Sequence, residues 1–92
     1  MMHTIMRVKV KDYDKWKIVF DGNSATRKAA GEKGGRLFHN VDDSSEVLIY
    51  LRWETMENAR KFFESEDLKK RMQESGTVDK PDIYFLEEVE TV

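Results

Sequence analysis

Residues 47–53 read VLIYLRW. Side chains along an extended strand point alternately to opposite faces, so a strand with one wet face alternates apolar with polar. Here Val47, Ile49, Leu51 and Trp53 fall on one face, while Leu48 and Tyr50 fall on the other, with Arg52 beyond them. A strand that is apolar on both faces needs two covers. The chain that must supply them has only 92 residues, enough to bury a real but thin core.

Working outward, Gly34 opens a preceding strand, GGRLFHNV, and DDSSE (42–46) is a turn rich in side chains that bond their own backbone. The two strands form an antiparallel hairpin. At the N-terminus, MHTIMRVKV (2–10) alternates strictly, as a strand does. Asp12 is an N-cap for a helix whose apolar positions are Tyr13, Trp16, Val19, Phe20 and then Ala25, Ala29 and Ala30. Gly22 and Asn23 interrupt its middle, and Gly31 ends it.

After the hairpin, Thr55 caps a second helix, MENARKFFES, with Ala59, Phe62 and Phe63 inward. Ser65, followed by Glu66 and Asp67, is a fresh cap. A bend near 65 therefore leads to a further helical segment ending at Gly76. TVDKPD (77–82) is a loop and IYFLEEVE (83–90) the last strand. The class is α+β. The order is ferredoxin-like βαββαβ: a four-stranded antiparallel sheet with helices on one face, in a single domain spanning 1–92.

Composition narrows the function. Charged residues are 37% of the chain, yet the net charge is −2 and the signs are interspersed, as on solvated helix faces. There is no cysteine, hence neither disulfide nor thiolate metal site. Two histidines without a spaced partner make no metal site either, so no metal is expected. No apolar run approaches a membrane span, and the N-terminus lacks a signal-peptide layout; the expected location is cytoplasmic. GEKGGR (31–36) follows a helix and leads into a strand, the reverse of a phosphate cradle. EVLIYLRW does not match the aromatic RNA-binding pattern of similarly ordered domains. Neither nucleic acid nor membrane is an expected partner.

The helices cover one face of the sheet. The second face carries several large apolar groups, and such patches mark interaction surfaces. Each large side chain buried there is worth roughly 1.5–3 kcal/mol. The expected partner is a second copy of the chain, sheet packed on sheet.

LRWET, MENARKFFES, EDLKKRMQESG and the strand pair RLFHNVDDSSEVLIYLRW together resemble the dimeric α/β-barrel superfamily, in particular its small antibiotic-biosynthesis-monooxygenase-like members. The resemblance covers almost the whole chain. It implies a homodimer and a pocket between sheet and helices, suited to a small aromatic molecule and holding no cofactor. The heme-degrading branch places an asparagine on the first strand; this chain has none before Asn23, which argues against that branch. The quinone-forming oxygenases imply a cofactor-independent monooxygenase whose pocket uses aromatic, Asn and Arg side chains. Trp16, Arg36, Asn40, Tyr50 and Trp53 are of those types and are the ligand-pocket candidates.

His39 is the candidate catalytic residue, since its ordinary pKa suits a general base near neutrality; a histidine bonded at the sheet or dimer surface is the commoner role. Trp16 also fits the core stripe with Tyr13 and Phe20. Trp53, at a strand end beside a charge, fits core and pocket mouth equally. The alternative function is a non-catalytic ligand-binding or interaction dimer.

Overall fold

The computed structural model describes residues 2–77 and 80–92. Its elements are β1 (Met2–Lys9), α1 (Tyr13–Gly22), α2 (Ser24–Ala29), β2 (Glu32–His39), β3 (Glu46–Trp53), α3 (Met56–Glu64), α4 (Glu66–Glu74) and β4 (Asp82–Glu87). The strands form one antiparallel sheet in the order β2-β3-β1-β4. VLIYLRW is thus a central strand. Pairing sets Thr4 opposite Leu51, Met6 opposite Ile49 and Val8 opposite Val47. These side chains face the helices and form the core with Trp16, Trp53, Ala59 and Phe63.

The helices begin where their caps say. Asp12 accepts a hydrogen bond from the Lys15 backbone amide at 3.3 Å, Thr55 from Asn58 at 3.1 Å and Ser65 from Leu68 at 3.2 Å. Each satisfies an amide that the first helical turn leaves without an internal partner. At Asn23 the first helical region divides. Its side-chain amide donates to the Val19 carbonyl at 3.0 Å, and α2 starts afresh with a new rotation. Of the alanines expected to continue the stripe, Ala30 packs against the core and Ala29 lines the space above the sheet, whereas Ala25 is exposed and Arg27 is buried in its stead.

Two strands differ from expectation. β2 begins at Glu32, not Gly34, and its register shifts between Glu32 and Gly35. A Cβ at Gly35 would lie 1.9 Å from the Tyr50 carbonyl oxygen, so only glycine lets the edge strand approach β3 here. β4 ends at Glu87, which pairs with Met2, and not at 90; Val89 lies beyond the sheet and is exposed. Within the loop expected at 77–82, Thr77 bridges to Val10, while Val78 and Asp79 lie outside the described residues. No helix among the described residues is long and apolar enough to cross a membrane.

Candidate functional site

The two helical pairs stand apart above the sheet, and a cleft of about 470 Å³ opens between them. Met6, Ile49 and Leu51 make its floor; α1 and α2 supply one wall and α3 and α4 the other. The volume falls in the range of small-molecule sites, which are typically apolar with a few polar groups for orientation. Trp16 and Phe20 stack on the first wall, with ring centroids 5.0 Å apart and planes inclined by 20°. Phe62, Phe63, Leu68 and Met72 line the second wall.

The polar groups of the cleft come mainly from the helices. Asn58, in the first turn of α3, stands against Gly31, where a Cβ would meet its side-chain nitrogen at 2.6 Å. Gly31 has φ of +106°, a conformation that glycine adopts readily; it therefore both ends α2 and leaves room for Asn58. Arg71 donates to Asp67 at 2.8 Å along α4, so these two lining charges offset each other. Arg27 is only 9% exposed. Its guanidinium carbon sits 3.8 Å from the Phe20 ring centroid, and Nη1 donates to the Phe20 carbonyl at 2.6 Å. Burial lowers its pKa from the ordinary value, against the opposing charges of Glu32 and Asp21.

The candidates are distributed over several regions. Trp16 is the one that lines the cleft. Trp53 is fully buried in the core, with Nε1 donating to Thr4 Oγ1 at 2.9 Å and its ring against Phe62 and Phe63. Tyr50 points to the opposite face of the sheet, where its hydroxyl meets His3 Nδ1 at 2.5 Å and the two rings stack. Arg36 is paired with Tyr50 in register, so it shares that outer face. Asn40 belongs to the hairpin: it donates to Glu46 at 3.2 Å and accepts from the Asp42 amide at 2.8 Å.

His39 lies at the sheet's edge, opposite Val47 and hence on the helix side, and is exposed. Its ring meets Tyr13 edge-on at 5.5 Å. Tyr13 in turn adjoins Trp16, which leaves His39 two rings away from the cleft. The sequence reading misses Arg27 and Asn58. Asn58 falls three residues after the Thr55 cap, so its place in a first helical turn is legible, but nothing local tells that the turn borders a cleft.

The outer face has a different character. Ile5, Leu48 and Tyr50 occupy its middle, half-buried, while Phe38, Tyr84 and Leu86 are exposed around them. At one end of it His3 Nε2 lies 3.8 Å from a Glu88 carboxylate oxygen, and at the other the side chains form ion pairs. Arg7 bonds Glu46 at 2.6 Å and Asp82 at 3.4 Å, and Lys9 bonds Asp43 at 2.9 Å. Among the described residues no three His, Cys, Asp or Glu side chains gather as a metal site would require.

No protein-family profile matches the chain, and no curated protein does. Solved structures do. A candidate antibiotic biosynthesis monooxygenase of Bordetella bronchiseptica superposes with a TM-score of 0.81 at 16% identity, over 97% of each chain. Another, of Nitrosomonas europaea, gives 0.74 at 15% identity, over 98% of this chain and 100% of that one. SnoaB, a cofactor-independent oxygenase of Streptomyces nogalater, gives 0.78 at 12% identity, over 99% of this chain and 95% of that one. At these identities the likeness is one of fold. The chain has the ferredoxin-like fold of the antibiotic-biosynthesis-monooxygenase-like proteins.

Proposed function

We propose that this protein is a homodimer, joined through the outer sheet face, that binds a small aromatic molecule in the cleft and oxygenates it without a cofactor. The observation carrying the reading is the cleft itself: an apolar chamber of about 470 Å³ with a stacked Trp16–Phe20 wall, suited to a flat ring. An electron-rich phenol supplies its own electrons to oxygen. One oxygen atom enters the ring as a carbonyl and the other leaves as water, as in the conversion of 1-naphthol to 1,4-naphthoquinone. The protein's part is to hold the ring, exclude bulk water and favour the ionised phenol. The dimer reading rests on the outer face, where six large side chains, Ile5, Phe38, Leu48, Tyr50, Tyr84 and Leu86, form one patch of the kind that marks an interface.

A second reading, binding without catalysis, is favoured by one specific observation. Among the described residues no histidine or tyrosine lines the cleft, and Asp67, their one lining carboxylate, is bonded to Arg71, so none of them stands as a general base facing the ligand. Oxygen uptake with 1-naphthol separates the two. Uptake that depends on protein, yields the quinone and falls when Trp16→Ala removes the stacking wall supports the oxygenase. Binding of 1-naphthol with no uptake supports the binder and overturns catalysis.

A further inference from the structure

The cleft's charge is opposite to that of the whole chain. Overall, 18 acids face 16 bases, yet among the described residues the cleft lining includes Arg27, Lys61 and Arg71 against one acid, Asp67. Asp67 is bonded to Arg71, which leaves Arg27 and Lys61. Lys61 is exposed and solvated. Arg27 is not. Its Nη1 is committed to the Phe20 carbonyl, its flat face lies on the Phe20 ring, and its Nε is buried with no hydrogen-bond partner among the described residues. No carboxylate among them lies within ion-pairing distance of it.

A buried donor normally finds a partner, and a buried cation without an adjacent anion is costly. Arginine stays protonated at any physiological pH, so it cannot relieve the cost by losing a proton. Arg27 has the orphaned donor in full at the wall of a ligand-sized cleft, and the charges of Glu32 and Asp21 act on it only from beyond ion-pairing distance. Its guanidinium has one edge fastened to the backbone. The other edge, Nε with Nη2, is the fork that matches the two oxygens of a carboxylate.

We propose that the cleft's ligand is an aromatic acid, whose ring lies by Trp16 and Phe20 and whose carboxylate pairs with Arg27. This deepens the small-molecule reading above and rests on it. Arg27 lines the cleft; its orphaned N–H is buried, so pairing with the ligand requires the side chain to turn toward the cleft. A guanidinium already resting on Phe20 loses little further freedom on binding, which favours affinity.

The test is a matched pair of probes, 2-naphthoate and the neutral 2-naphthamide, titrated at neutral pH by calorimetry and tryptophan fluorescence. The naphthoate is expected to bind at least about tenfold more tightly, which corresponds to ~1.4 kcal/mol. In Arg27→Gln the ratio is expected to collapse to about one. Equal binding of the two probes, or a ratio that survives Arg27→Gln, overturns the carboxylate assignment and leaves the cleft reading standing. Failure of both probes to bind overturns the cleft reading and the assignment with it. If Arg27→Gln does not fold, Arg27→Lys still decides, because it keeps the charge but lacks the planar fork: the ratio is expected to fall several-fold, and an unchanged ratio overturns the assignment.

Discussion

Both faces of the sheet carry large apolar side chains, the inner face more of them, and they put them to opposite use. Toward the helices, Val47, Ile49, Leu51 and Trp53 are at most 5% exposed, locked against side chains distant in sequence. Toward the outside, Leu48 and Tyr50 come from the same strand, yet their neighbours Phe38 and Tyr84 are more than half exposed. The inner face is covered by its own chain except where the helical pairs part, and there it opens a cleft. Among the described residues nothing covers the outer face; the ion pairs of Arg7 and Lys9 sit at one end and the His3–Glu88 contact at the other, with the apolar middle between them. Strand hydrophobicity alone therefore does not say whether a residue holds up the fold or awaits another molecule. Its parity along the strand does.

Trp53 and Tyr50, three positions apart on β3, test that difference most sharply. Trp53→Ala removes a fully buried indole and strands the Thr4 hydroxyl that accepts from it. The expected loss is about 3–5 kcal/mol from the cavity alone, a large part of the ~5–15 kcal/mol stability of a domain. Urea unfolding measures it. A loss near zero would mean that the inner face is not the fold's principal support.

How much of this is legible in residues is uneven, for physical reasons. The caps Asp12, Thr55 and Ser65 are local, each acting three residues away, and all three stand where the sequence puts them. The faces of β3 follow from period two, although only pairing with β1 tells which face the helices take. Trp53 is ambiguous from its neighbours because its partner, Thr4, is 49 residues away. The cleft is harder still: stripes of apolar residues tell which sides of helices turn inward, but not that two helical pairs will fail to meet. Arg27 is hidden for a related reason. A cation in the last turn of a helix reads as solvated and dipole-matched, and only the fresh start of α2 after Asn23 turns it inward. Arg36 and Tyr50 have the right chemistry for a pocket and lie across the sheet from it, since residue type carries no information on face.

On the outer face the matching substitution is Tyr50→Lys. A lysine in the apolar middle would have to be buried against a partner, at a cost that breaks an interface, whereas in an isolated subunit it reaches solvent. The expected outcome is dissociation to monomer by light scattering, with a subunit that still folds. Trp53→Ala should do the reverse, weakening the fold before the assembly. A Tyr50→Lys protein that remains dimeric would place the interface elsewhere, and a wild-type protein that is monomeric at micromolar concentration would remove the dimer altogether.

The smallest expected effect lies at the ionic end of the outer face. Hydrogen bonds from Lys9 and then from Ser45 hold the Asp43 carboxyl down at about 2, from an ordinary value of 3.8. Asn40 and then Arg7 lower Glu46 as well. Groups whose folded pKa is depressed stabilise the fold above their unfolded value, and that contribution disappears as the pH falls through the folded one. For Asp43 it is complete above pH 3.8 and lost on approaching about pH 2. These groups are partly exposed to solvent, where ion pairs are weak and salt-screened, so the shift in melting temperature across this window should be modest and should shrink in high salt. Asp43→Asn removes one titrating group and should flatten part of the slope while leaving the proposed dimer intact at neutral pH. If instead the acid transition steepens with Asp43→Asn, or the dimer separates at neutral pH, the ionic end and the apolar middle of this face are coupled, and the contrast between the sheet's two faces would have to include charge as well as cover.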